Sequence, residues 1–173
     1  MFMPTSIKSQ VASASSVTDM LRKDHKKVKG LFEEFEKAGN ATAKQRIVET
    51  VLTELEVHSK LEEELIYPAI RAEIDDDDLM DEALEEHHVV HKLLVELKKM
   101  KPNDERYDAK FTVLAENVRY HIKEEESEMF PKAEDCELDW DALCTQVVKR
   151  KEQLAAKTSA PSKASHNKAS KKK

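Results

Sequence analysis

Residues 58–68 read HSKLEEELIYP, and residues 121–131 read HIKEEESEMFP. Both stretches follow the pattern His-x-x-x-Glu-Glu-x-x-x-aromatic-Pro, and an acid–histidine pair precedes each of them, at 24–25 in the first case and at 86–87 in the second. The two histidines of each set are 33 or 34 positions apart. The chain therefore contains an internal repeat, which predicts two helical hairpins of one design packed as a four-helix bundle.

The composition favours helices along the whole chain. Among 173 residues there are only 2 Gly and 5 Pro, which argues against a turn-rich all-β fold, and charged residues make up 37%, as expected of amphipathic helices with solvated outer faces. We expect an all-α protein, an up-down-up-down four-helix bundle with helices at about 17–38, 42–70, 79–100 and 104–129. The predicted segments are a flexible leader at 1–16, the bundle at 17–135, a short C-terminal helix at 136–156 and a disordered Lys/Ser/Ala-rich tail at 157–173.

Histidines and glutamates fall within the apolar stripes of these helices. A stripe at helical spacing is the face expected to pack in the core. The predicted stripes are Val17, Leu21, Val28, Phe32 and Phe35; Ile47, Val51, Leu55, Leu65 and Ala69; Met80, Leu84, Leu94 and Leu97; and Phe111, Leu114, Val118 and Met129. The polar residues within them are His25; His58 and Glu62; His87 and His91; and His121 and Glu125.

Five imidazoles and two carboxylates inside one bundle cannot all satisfy each other. An unpaired buried group of either kind destabilises a protein by roughly several kcal/mol. A pair of metal ions resolves this, because imidazole nitrogens donate to a metal and carboxylates can bridge two cations. A His-x-x-x-Glu pair spans one helical turn, so both side chains can reach one centre. Such N/O ligation suits Fe, Zn, Cu or Mn.

The chain resembles the hemerythrin family, specifically the bacterial hemerythrin-like HHE cation-binding domain, over about residues 17–135. The resemblance rests on the seven residues named above, which occur in the family's order on four helices. It implies two non-haem iron ions with an oxo or hydroxo bridge, one of them held by His25 and His58. The other iron would be held by His87, His91 and His121, with Glu62 and Glu125 bridging the two. Many HHE domains have one histidine on the third helix, so His91 could instead support a ligand.

The resemblance also implies a coordination position on the less saturated iron where O2, peroxide or NO could bind. In the family's oxygen carriers the last bridging acid is an aspartate five residues after its histidine, whereas here Glu125 follows by four. This difference favours peroxide or NO handling over reversible oxygen carriage. One alternative is an iron, oxygen or redox sensor, or an iron-binding module without turnover; the other is a helical interaction domain without metal. Whether the protein is an enzyme stays open.

Residues beside the ligands are predicted to be structural. His88 is expected on the surface, and the neighbouring glutamates at 63–64, 124 and 126 on solvated faces. Tyr67 and Phe130 are expected to pack at the bundle end, although Tyr67 could hydrogen-bond toward the site.

The charge distribution limits the expected partners. Residues 149–173 carry a charge of +8 and residues 1–148 carry −14, which is not the profile of a nucleic-acid-binding domain. Weak contact of the tail with nucleic acid or an acidic partner is the minor option, and no protein partner is indicated. No apolar stretch is long enough for a membrane span, the leader has no secretion signal, and Cys136 and Cys144 are interpreted as reduced thiols. We therefore expect a cytoplasmic protein with a small-molecule ligand.

Overall fold

The computed structural model describes residues 14–158, which form an all-α structure without strands in that range. The all-α four-helix bundle is confirmed, and its four rods are formed by residues 14–37, 41–71, 77–97 and 107–134. Residues 1–13 of the leader predicted at 1–16 and residues 159–173 of the tail predicted at 157–173 lie outside the described residues, whereas 14–16 and 157–158 are helical. The helices are α1 (Ala14–Lys37), α2 (Ala41–Leu61), α3 (Tyr67–Arg71), α4 (Asp77–Leu97), α5 (Tyr107–Glu124), α6 (Phe130–Glu134) and α7 (Trp140–Thr158).

Side-chain caps set the beginnings of α2 and α4. The Asn40 side chain accepts a hydrogen bond from the backbone N–H of Ala43 at 2.9 Å. The Asp76 side chain accepts one from the N–H of Leu79 at 3.2 Å. Each cap satisfies a backbone donor that the first turn of a helix leaves without a partner.

Two π-helical turns interrupt the repeated motif at the same place in both halves. They span Glu62–Ile66, between α2 and α3, and Glu125–Met129, between α5 and α6. A π-turn holds one residue more than an α-turn, so the residues after it are rotated around the helix axis. For this reason the predicted core positions Leu65 and Ala69 are only half-buried, and Ile66 and Ile70 take their place in the core.

The core face of α4 also differs from the predicted stripe. Leu84 is 38% exposed and His91 is exposed, whereas Ala83 and Val90 are buried. The sequence contains apolar residues on two overlapping α4 faces, and the face that includes Ala83, His87 and Val90 is the one that packs inward. Leu84 and His91 lie one residue further along, about 100° around the helix axis.

Two hydrophobic clusters fill the bundle on either side of the histidines. The first, which we call the inner cluster, includes Val28, Phe32, Leu55 and Phe111. The second, the end cluster, contains Leu21, Leu61 and Met129 together with the buried residues of α7. Helix α7 packs against α1, α2 and the first π-turn. Within residues 14–158, no helix combines the length and the hydropathy that a membrane span requires.

Candidate metal centre

Six of the seven predicted ligand residues meet between the two hydrophobic clusters. Each side chain comes from a different rod or π-turn, and the two glutamates are the first residues of the π-turns. All six are buried, with Glu62 0% and Glu125 1% exposed. The six are His25 on α1, His58 on α2, Glu62, His87 on α4, His121 on α5 and Glu125.

The first half of the chain brings two imidazoles together. The Nε2 atoms of His25 and His58 lie 3.1 Å apart. Glu62 Oε1 lies 2.9 Å from Nε2 of His58, and Glu125 Oε2 lies 3.2 Å from Nε2 of His25. The four side chains could hold one metal ion together.

The second half repeats this arrangement. The Nε2 atoms of His87 and His121 are also 3.1 Å apart. Glu62 Oε2 lies 3.3 Å from Nε2 of His87, and Glu125 Oε2 lies 3.3 Å from Nε2 of His121. Glu62, His87 and His121 form a second set that could hold an ion. Each glutamate therefore faces both pairs of histidines.

Carboxylates outside the cluster face the other nitrogen, Nδ1, of each imidazole. We call Asp24, Glu63, Glu86 and Glu126 the outer carboxylates. Because a carboxylate can only accept, the Nδ1 atoms of His25, His87 and His121 donate, and the lone pair of each neutral ring is then on Nε2. Two such lone pairs 3.1 Å apart repel unless a cation lies between them. The Nδ1–carboxylate distances are 2.8 Å for His25–Glu126, 2.8 Å for His87–Glu63, 2.7 Å for His121–Glu86 and 3.6 Å for His58–Asp24.

The donor atoms fit bound metal ions in spacing and in chemistry. Two ligands at right angles, each roughly 2.1 Å from a metal, are about 3.0 Å apart, and the contacts above range from 2.9 to 3.3 Å. Both oxygens of Glu62 and Oε2 of Glu125 are buried without a hydrogen-bond partner. Buried carboxylate oxygens in that state are costly unless a cation pairs with them.

The charges around the site favour a cation. Burial alone lowers the pKa of His58, but the nearby charges of Glu62, Asp24 and Glu125 outweigh it and raise this pKa to about 10. Burial likewise lowers the pKa of His121, and Glu125, Glu86 and Glu62 together raise it well above its usual value. The same carboxylates that hold protons on the histidines would attract a metal ion in their place.

Comparison with known proteins identifies the family. The hemerythrin HHE cation binding domain matches residues 16–133, which is more than half of the chain. The chain belongs to this family. The HHE chain is 29% identical over 115 residues to a DNA nickase of Nostoc sp., covering 66% of this chain and 32% of that protein. It is 26% identical over 117 residues to an uncharacterized hemerythrin-like protein of Schizosaccharomyces pombe, covering 66% of this chain and 58% of the other.

These relatives are longer than the region they share with the HHE chain, which spans about a third of one and under three fifths of the other. The crystal structure of an HHE cation binding domain-containing protein from Mycobacterium kansasii superposes with a TM-score of 0.68 at 24% identity. That match covers 80% of this chain and 86% of the other, and it supports the fold.

Tyr67 makes the two halves of the HHE centre unequal. Its hydroxyl donates to Glu125 Oε1 at 2.6 Å and lies 3.3 and 3.4 Å from Nε2 of His87 and His121. At the equivalent position of the second half, the Phe130 ring stacks on His25 with centroids 5.8 Å apart. Tyr67 is thus more than the packing residue that the sequence favoured, and its possible hydrogen bond toward the site is present.

His91 is the predicted ligand that the structure does not bring to the centre. It lies on the outer face of α4 and lines a surface groove with His88 and Lys60. Conversely, sequence reasoning assigned Glu63 and Glu126 to solvated faces, yet both accept from ligand histidines. A signal for them was present, because each directly follows the bridging glutamate in its copy of the repeat.

Proposed function

We propose that this HHE domain holds two iron ions and binds or reacts with a small oxidant or diatomic, namely O2, peroxide or NO. His25 and His58 would hold one ion, His87 and His121 the other, with Glu62 and Glu125 between them. The observation that carries the proposal is the two pairs of mutually facing Nε2 atoms, both of which face the same two glutamates. Bound iron would supply a redox-active Lewis acid with room for one small ligand.

The donor set suits iron. Four imidazoles and two carboxylates form it, without a thiolate, which suits ions of intermediate hardness. The outer carboxylates raise the negative charge around the ligands further. A centre of this charge favours two multivalent cations over a single divalent one.

A small cavity beside the histidines supports a small ligand. Its volume is about 30 Å³, and all four histidines of the centre line it. Its remaining walls are mainly apolar and are formed by five residues of the inner cluster: Val28, Leu55, Val90, Val118 and Ile122. A space of this size holds about one water-sized molecule. Its apolar walls exclude bulk water and favour an uncharged diatomic or hydrogen peroxide over a charged substrate.

Tyr67 would hold Glu125 in place and keep a proton beside the centre. Burial raises the pKa of Tyr67 well above 10, and the charges of Glu125 and Glu62 raise it further. The hydroxyl therefore stays protonated and donates to Oε1 of Glu125, which leaves Oε2 free to face the two histidine pairs.

The deciding measurement is the iron content and visible spectrum of protein purified from iron-replete cells. We expect about two irons per chain with the absorption of a ligated di-iron centre. His121→Leu should lower the iron content, and the matched control His91→Leu, on the outer face of α4, should not. Colourless wild-type protein without iron would contradict the proposal.

A sensor or iron-binding module without turnover is the second candidate. It is favoured by the buried Glu62 and Glu125 oxygens without hydrogen-bond partners, because such groups couple metal binding to folding stability. Addition of hydrogen peroxide or NO in tenfold excess separates the two candidates. An enzyme consumes the excess repeatedly and stays folded, whereas a sensor reacts at most once per centre.

A further inference from the structure

Helix α7 lies beyond the part of the chain that matches the HHE family, which ends at residue 133. It docks on the bundle through Trp140, Leu143, Val147 and Leu154, all of which are buried in the end cluster. Two neighbouring cations extend from it to the bundle. Arg150 pairs with Glu64 in the first π-turn at 2.7 and 3.0 Å, and Lys151 pairs with Asp24 on α1 at 2.8 and 2.6 Å.

Asp24 is the outer carboxylate that faces His58. The distance from Asp24 Oδ2 to Nδ1 of His58 is 3.6 Å, and this Nδ1 is buried without a hydrogen-bond partner. The other three outer carboxylates lie 2.7 to 2.8 Å from their histidines. In the repeat, Asp24 corresponds to Glu86, and no lysine or arginine in the described part of the chain pairs with Glu86. Lys151 therefore acts on one half of the centre alone.

Competition for one oxygen connects Lys151 to the ligand. Oδ2 of Asp24 lies 2.6 Å from the ammonium of Lys151 and 3.6 Å from Nδ1 of His58. A carboxylate that accepts from Nδ1 makes the opposite nitrogen of an imidazole a stronger metal donor. The ammonium neutralises this carboxylate and draws it away, so Nε2 of His58 is the weaker donor compared with Nε2 of His121.

We propose that Lys151 is a positioning residue that, through Asp24, weakens metal binding at the His25–His58 position relative to the His87–His121 position. The inference rests on the proposed function, since it concerns the same metal centre. It assigns to α7 a second source of inequality between the two ion positions, in addition to Tyr67 in the bundle. Unequal positions favour an order of loading.

The test is stepwise binding of Co²⁺ to the full-length apo protein, measured by competition with a chromophoric chelator. Wild type should bind two ions with unequal affinities. Lys151→Met keeps the aliphatic part of the side chain and should increase the Co²⁺ affinity of the weaker position by about tenfold. Hydrogen-bond partners of metal-binding histidines usually change metal affinity by about this much. Lys151→Arg should retain the wild-type ratio. The matched control Arg150→Met removes the neighbouring cation and should leave both affinities within about twofold.

A second background shows whether Lys151 acts through Asp24. In Asp24→Asn protein, adding Lys151→Met should change neither affinity, and the thermal midpoint of each variant records any loss of folding. Wild-type protein that binds no Co²⁺ overturns the proposed function itself. If wild-type protein binds two ions, three results overturn the inference alone. Lys151→Met leaves the ratio of the two Co²⁺ affinities unchanged, it weakens either affinity, or it changes the affinities equally in the wild-type and Asp24→Asn backgrounds.

Discussion

The two halves of the bundle place the same ligand types at the same positions but surround them differently. Each half contributes two histidines with Nε2 atoms 3.1 Å apart and one glutamate at the start of a π-turn. The first half adds Tyr67 and the Asp24–Lys151 pair, where the second half has Phe130 and Glu86. The comparison teaches that the histidines and glutamates shared by the two copies of the repeat determine which atoms could bind metal, whereas the residues that differ between the copies, together with Lys151 on α7, distinguish the two positions.

Metal removal should have the largest effect, because the proposed ions would be held by both halves together. Ligand binding at about one hundred times its Kd stabilises the folded state by about 2.7 kcal/mol per ion. Two ions should therefore raise the thermal midpoint of a domain of this size by on the order of 10 °C. Calorimetry of the iron-loaded protein before and after EDTA checks this. Equal midpoints would show that the six ligand residues stabilise the bundle without metal.

Replacing the ligand pair of one half separates metal binding from stability. His58→Leu with Glu62→Met should lower the iron content to one ion per chain or fewer. The same protein without metal should be more stable by about 1–4 kcal/mol, because apolar residues replace a buried charged pair. Iron analysis and urea unfolding with EDTA measure the two effects.

The matching change in the second half should stabilise less. His121→Leu with Glu125→Met removes the acceptor of the Tyr67 hydroxyl, and an unpaired buried hydroxyl costs about 1–3 kcal/mol. If both double variants gain the same stability without metal, Tyr67 does not distinguish the halves.

Tyr67→Phe makes the first half resemble the second, which has Phe130. Oε1 of Glu125 then loses its donor, so the free energy of unfolding should fall by about 1–3 kcal/mol. The iron content should stay near that of the wild type, because Tyr67 is outside the proposed ligand set, while the visible bands shift as Glu125 reorients. Urea unfolding and absorption spectra test this, and a loss of iron would mean that Tyr67 is itself a ligand.

Local sequence patterns predict the fold. They also predict the six residues that meet at the centre, although they add a seventh, His91, that does not. His58 and Glu62 are four residues apart on a helical face, and such spacing is readable without a structure. The π-turns could not be predicted in this way, because a pattern based on 3.6 residues per turn does not include the extra residue of a π-turn. The core positions after Glu62 were therefore predicted wrongly. The cytoplasmic location stays a prediction.

Contacts between distant segments were missed for a different physical reason. Lys151 and Asp24 are separated by 127 positions, and neither residue belongs to an apolar stripe whose direction the sequence predicts. Glu63 and Glu126 were placed in solvent because runs of glutamate are usually solvated. Their pairing with histidines depends on the π-turns that rotate these rods.

His91→Lys should have the smallest effect and tests the one ligand-type residue without a counterpart in the other half. Counting four residues from each acid–histidine pair, His91 corresponds to Lys29 on α1. The exposed His91 side chain lies in the groove with His88, outside both sets of atoms that could hold an ion. The substitution gives α4 the residue that α1 already carries, so we expect unchanged iron content and a thermal midpoint within about 2 °C of the wild type. Loss of one iron per chain would show that α4 turns His91 inward when metal binds, and that the second half holds its ion with three histidines against two in the first.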